Sequence, residues 1–130
     1  MAKLTLFAYA EGAAHETFAD KFEARLDALV AGRKWTTKDV WVVNQRVPGS
    51  PPEWDLGVNL AVAAKRTRPA AWVDDVVAIA TAFGELNGET GRRFVIGIHD
   101  EKADSTKDLF FVDSAKPDLE KLKIALAAVA

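Results

Sequence analysis

His15 and His99 are the side chains of this chain best suited to moving protons near neutral pH. No H-x-x-x-H or similar spacing surrounds either, so they do not announce a metal pair. The strand order argued below also sends them to opposite edges of a sheet, so no catalytic pair is expected. A second cluster, Asp100, Glu101, Asp104 and Asp108, invites comparison with a calcium loop, whose oxygen ligands alternate along the chain. Lys102 stands at the third position of that frame, where an oxygen is needed, and the sixth position holds no glycine. The segment reads as a solvated hairpin turn in which Lys102 and Lys107 offset part of the charge, and no metal is expected.

Other chemistries fare no better. Gly84, Gly88 and Gly91 fall late in or after a helical stretch, whereas phosphate loops need glycines between a strand and a helix start, so no nucleotide or other cofactor is expected. Ser50, Ser105 and Ser114 suit turns or caps, and none lies in G-x-S-x-G. Glu11, Glu16 and Glu53 can share an edge, but surface acids outnumber catalytic ones. Catalytic residues therefore stay unassigned. The chain has no cysteine, which removes disulfides, thiolate ligands and thiol nucleophiles together.

Binding residues are easier to nominate. Lys65-Arg66-Thr67-Arg68-Pro69 leads from a strand into a helix N-terminus, and the predicted order of elements brings Arg33, Lys34 and Lys38 to the same edge. Free N–H groups and the macrodipole favour anions there, so this basic edge is a candidate contact for an acidic protein or a phosphorylated ligand. Trp54 follows Ser50-Pro51-Pro52-Glu53 in what reads as a long hairpin loop, either tucked onto the sheet or displayed as an interface anchor. Tyr9, Trp41 and His15 are the candidate lining of a pocket on an aromatic sheet face.

The elements that must position these residues follow from periodicity. Leu4 to Tyr9 alternates as a strand, with Leu4, Leu6 and Ala8 on one face and Thr5, Phe7 and Tyr9 on the other. Phe18, Phe22, Leu26, Leu29 and Val30 recur at helical spacing over about 15–31, stopped by Gly32. Asp39 to Val47 and Leu56 to Val62 read as strands flanking a proline-rich connection. A helix opens at Pro69 and runs to about Asn87 before Gly88, on a stripe of Trp72, Val76, Ile79 or Ala80, and Phe83, closed by Leu86. Arg93 to His99 and Asp108 to Val112 are two more strands. A last helix starts at Pro117, with Leu119, Leu122, Leu126 and Val129 on one side.

The order β-α-β-β-α-β-β-α places the chain in the α/β (α+β) class. Its first six elements resemble the split βαβ, or ferredoxin-like, pattern, an antiparallel sheet covered on one face by two helices, with an extra C-terminal hairpin strand and helix. The resemblance is one of element order and implies a fold, not a function. If the helices cover the side of Leu4, Val40, Leu60 and Phe94, the other face carries Phe7, Tyr9, Trp41 and Val43. So apolar a face needs a cover, for which the last helix is the first expectation and a second protomer or another protein the next.

With 130 residues and 49% apolar side chains, one domain spanning 1–130 is expected to bury a core without metal or disulfide. A formal charge of −2 gives no general attraction for nucleic acid or anionic lipid. No apolar run reaches membrane-spanning length, and the short one after Lys3 alternates like a strand rather than a leader, so a cytoplasmic address is expected. By elimination, the leading expectation is a non-enzymatic protein-binding module, an inhibitor or immunity-like protein that occludes a protein partner. Its bacterial attribution rests on alanine-rich composition alone. The alternative is a small-molecule binding protein or enzyme with a pocket on the aromatic sheet face, as a monomer or homodimer.

Overall fold

Alternating and 3.6-residue patterns resolve into eight elements in the computed structural model, which describes residues 4–11, 19–37, 39–46, 54–63 and 68–129. They are β1 (Leu4–Ala10), α1 (Ala19–Ala31), β2 (Val40–Arg46), β3 (Trp54–Val62), α2 (Trp72–Thr90), β4 (Phe94–Asp100), β5 (Ser105–Val112) and α3 (Leu119–Ala127). The strands form one five-stranded sheet in the order β2-β3-β1-β4-β5, every neighbouring pair antiparallel. The predicted start of α1 near His15 falls outside the described residues.

Side-chain parity gives the sheet two different faces. Leu6, Ala8 and Ala10 of β1, Leu56, Val58 and Leu60 of β3, and Phe94, Ile96 and Ile98 of β4 share one buried cluster with Phe22 and Leu26 of α1, Val76, Ile79 and Phe83 of α2, and Leu122 and Leu126 of α3. Within it the rings of Phe22, Phe83 and Phe94 form a triangle that ties α1, α2 and β4 together, with centroids 4.6–5.8 Å apart. The pairs are tilted or stacked, and contacts at this range add to the area that such rings bury.

Several boundaries differ from the sequence expectation, and α2 opens at Trp72 rather than Pro69. α2 does not stop at Gly88. It continues to Thr90 and ends where Gly91 takes a left-handed conformation, φ 71°, with its N–H donating to the Asn87 carbonyl at 2.7 Å. α3 starts at Leu119, not Pro117, because the Asp118 side chain caps it by accepting from the Lys121 N–H at 3.2 Å. β5 begins at Ser105, three residues before the expected start. The Asp100 carboxylate closes the preceding turn by accepting from the N–H groups of Lys102 and Ala103 at 3.0 and 3.2 Å, so pairing resumes at once. Trp54 is not a loop residue but the first residue of β3, its backbone opposite Arg46.

A larger correction concerns α3, which does not cover the aromatic face. It packs with α2 and β5 on the same side as the other helices and adds Leu122 and Leu126 to their core. The route is fixed by Gly84 and Gly88. A Cβ on Gly84 would stand 2.7 Å from Pro117 Cδ and 2.9 Å from the Ala115 carbonyl, and one on Gly88 would stand 3.2 Å from Ala115 Cβ. These glycines let the connection after β5 lie directly on α2, which delivers α3 to the helical layer.

Candidate functional site

The strand registers place the residues of the uncovered face in rows. One row across the sheet reads Val43, Gly57, Tyr9, Val95 and Phe111, and the next Trp41, Asn59, Phe7, Gly97 and Asp108. A third reads Ala61, Thr5, His99 and Thr106. Both aromatic rings of β1 lean onto a glycine of a neighbouring strand. A Cβ at Gly57 would stand 2.7 Å from Tyr9 Cδ1 besides overlapping the Ala8 carbonyl, and a Cβ at Gly97 would overlap the Phe7 ring. The missing side chains are what allow the rings to lie low, 5.3 Å apart, and leave a depression beside them.

That depression is a groove of about 340 Å³ lined by Thr5, Phe7, Tyr9, Trp41, Asn59, His99 and Thr106. Two hydrogen bonds order its polar groups: the Tyr9 hydroxyl donates to Asn59 Oδ1 at 2.7 Å, and His99 Nδ1 lies 2.9 Å from Thr106 Oγ1. Trp41 forms the outer bank and is 44% exposed. A groove with an aromatic body and a few fixed donors and acceptors suits a small, flat, partly polar molecule. Among the described residues no cluster of histidine and carboxylate groups is arranged to hold a metal ion.

The candidates named from sequence fare differently. Tyr9 and Trp41 line this one groove, while His15 lies outside the described residues. Of the basic edge, Lys38, Lys65 and Arg66 lie outside them too, and Lys34 is exposed. Arg33 and Arg68 are engaged within the chain. The Arg33 guanidinium donates through Nε and Nη2 to Oδ1 of Asp75 at 3.1 and 3.0 Å, and the fully buried carboxylate also accepts from the N–H and hydroxyl of Thr36. Arg68 donates to the carbonyls of Ala63 and Val129 at 3.0 and 3.1 Å and lies over the Trp72 ring, and burial lowers its pKa from the ordinary guanidinium value. Arg68 does face a second groove of about 380 Å³, shared with Thr36, Thr37, Asp39, Pro69 and Trp72.

Among the acids, Glu11 pairs with Arg93, Nε to Oε2 at 2.7 Å, whereas Glu16 and Glu53 lie outside the described residues. Sequence reading passed over Thr5, Asn59 and Thr106 as groove residues, and it set His99 aside as a lone histidine. The signal was strand parity: Thr5 is in phase with Phe7 and Tyr9 on β1, and Asn59, His99 and Thr106 occupy the same face on β3, β4 and β5. Asp75 carried a signal too, since it falls three residues after Trp72 and one before Val76, on the buried stripe of α2. No protein-family model, no curated protein and no solved structure matches this chain.

Proposed function

We propose that this chain is a binding protein whose recognition surface is the open face of its sheet, and that its ligand is a small molecule with a flat apolar body and a polar edge. One observation carries the reading: the groove of about 340 Å³ that brings Trp41, Phe7 and Tyr9 together with the ordered polar groups of Asn59, His99 and Thr106. Its volume lies in the range of small-molecule sites, roughly 300–1,000 Å³, and aromatic walls with few polar groups are their usual lining. The same proposal takes the first six elements as ferredoxin-like, with β5 and α3 appended; the order β2-β3-β1-β4 among their strands supports that reading.

A second reading keeps the expectation of an inhibitor-like module that holds a partner protein. It draws on Trp41 and Phe111, which are 44% and 38% exposed on this face, because large exposed aromatic side chains are frequent interface anchors. No described helix is long and apolar enough to cross a membrane, so neither reading involves a helical anchor among the described residues.

Titration of isotope-labelled protein with the uncharged probe N-phenyl-1-naphthylamine tests the first reading. The expected result is a set of shifts centred on Thr5, Tyr9, Asn59, His99 and the Trp41 indole N–H, with binding at least about tenfold weaker in Trp41→Ala, the loss of about 1.4 kcal/mol that one aromatic contact supplies. Shifts centred on Arg68 and Trp72 would move the site to the second groove, and no shifts at all would end the proposal.

A further inference from the structure

We infer that the occupant of the open sheet face is a second copy of this chain, packed face to face about a twofold axis, so that each groove becomes a cavity walled by both copies. This rests on the reading of the face as the recognition surface and adds what completes it. A groove on one sheet face has a floor and two banks but no roof, whereas a small ligand is generally enclosed over most of its surface. Among the described residues no element supplies that roof, since the three helices lie on the other side.

Two properties of the face select a second copy over a different protein. The first is charge. A residue close to a twofold axis meets its own counterpart, so a charged group there repels itself. The central strand contributes Thr5, Phe7 and Tyr9, and its neighbours contribute Gly57, Asn59, Ala61, Val95, Gly97 and His99. None of these nine inner-strand positions is an aspartate, glutamate, lysine or arginine. Charged groups begin at the margin, with Asp108 on β5, Asp55 near the start of β3 and the Arg93–Glu11 pair beyond the strand ends. A surface this depleted of charge at its centre has little with which to select an oppositely charged partner, and it is compatible with itself. Whatever the direction of the twofold within the plane of the interface, a face centred on β1 meets the partner's β1.

The second property is area. Five strands about 4.8 Å apart, seven residues long at about 3.3 Å each, make a face of roughly 500 Å² in projection. Two such faces bury about 1,000 Å² even before side-chain relief is added, which reaches the threshold of a specific interface. Aligned packing of twisted sheets, about 10 Å apart, is an established way for two such faces to meet.

Sedimentation and native mass measurement of the full chain test the inference. The expected species has twice the 14.1 kDa mass of one chain. Thr5→Glu sets a charge beside the axis and Trp41→Glu sets one at the outer bank; each is expected to weaken association at least tenfold while leaving the far-ultraviolet spectrum unchanged. Ile124→Glu changes the most exposed large apolar side chain of the helical side, 71% accessible on α3, and is expected to leave the dimer intact. A dimer that survives both sheet-face variants, or dissociates in Ile124→Glu alone, associates by another surface and overturns the inference. A wild-type monomer at millimolar concentration overturns it as well. The naphthylamine titration then separates the two layers: a monomer that still binds the probe at Trp41 keeps the ligand reading, and one that does not loses both. A stable one-to-one complex with a different protein on this face, formed by a wild-type monomer, would instead establish the inhibitor-like reading.

Discussion

The two faces of the sheet share five strands and one backbone, yet they are different surfaces. On the helical side Phe22, Phe83 and Phe94 are fully buried, and charge lies on the helix exteriors, where Arg25 bridges Glu85 and Glu89, apart from the buried Asp75 carboxylate held by Arg33. On the other side the rings of Phe7 and Tyr9 lie half-buried over glycines, Trp41 and Phe111 stand out, and the polar groups of Tyr9, Asn59, His99 and Thr106 are ordered by hydrogen bonds. Both faces are aromatic. What separates them is that one has been filled by helices and the other shaped by omission, at Gly57 and Gly97. Aromatic content therefore does not by itself distinguish a core from a site; the residues opposite the rings do.

Substitutions can break this contrast in order of severity. Phe83→Ala removes one corner of the phenylalanine triangle and should cost about 3–5 kcal/mol in a urea titration, the largest effect expected from a single truncation here. Arg33→Ala comes next. It leaves the buried Asp75 carboxylate with Thr36 alone, and an uncompensated buried charge costs about 3 kcal/mol; partial recovery in Arg33→Ala/Asp75→Asn would show that the charge, not the packing, was responsible. Trp41→Ala should be smallest, under about 1 kcal/mol when the unfolding midpoint is extrapolated to low protein concentration, because an exposed ring has little burial to lose. A loss of several kcal/mol there would make Trp41 a core residue and erase the distinction between the faces.

The order of elements was legible in the chain because each strand alternates and each helix repeats without conflict, and the split of Leu4, Val40, Leu60 and Phe94 from Phe7, Tyr9 and Trp41 followed from parity. The side taken by α3 was not legible. An amphipathic helix such as Leu119 to Ala127 specifies that one stripe is buried, not against which layer. The deciding contacts, Ala115 and Pro117 on Gly84 and Gly88, join positions far apart in sequence. The basic edge is a second case of contacts hidden from the sequence. The acceptors of Arg33 and Arg68, the Asp75 carboxylate and the Ala63 and Val129 carbonyls, become their neighbours only through tertiary folding. Half of the groove was in view from the start, in Tyr9 and Trp41; the polar half came from Asn59 and His99, ordinary residues until parity puts them in phase with β1.

The register shift in β5 bears on where the sheet ends. Ile96 pairs with Phe110 but Gly97 pairs with Asp108, so Leu109 is an extra residue in this edge strand. The shift lets Leu109 and Phe110 both turn toward the core while Lys107 and Asp108 remain in the exposed half of the strand. A bulged, charged edge is a poor template for another strand, because the ladder of a newcomer would fall out of step at the extra residue. The β2 edge, whose pairing with β3 runs without a shift from Val40 to Arg46, has no such interruption. Edge-to-edge aggregation should accordingly begin at β2 rather than β5, and a proline or lysine placed outward on β2 is the change that would blunt it.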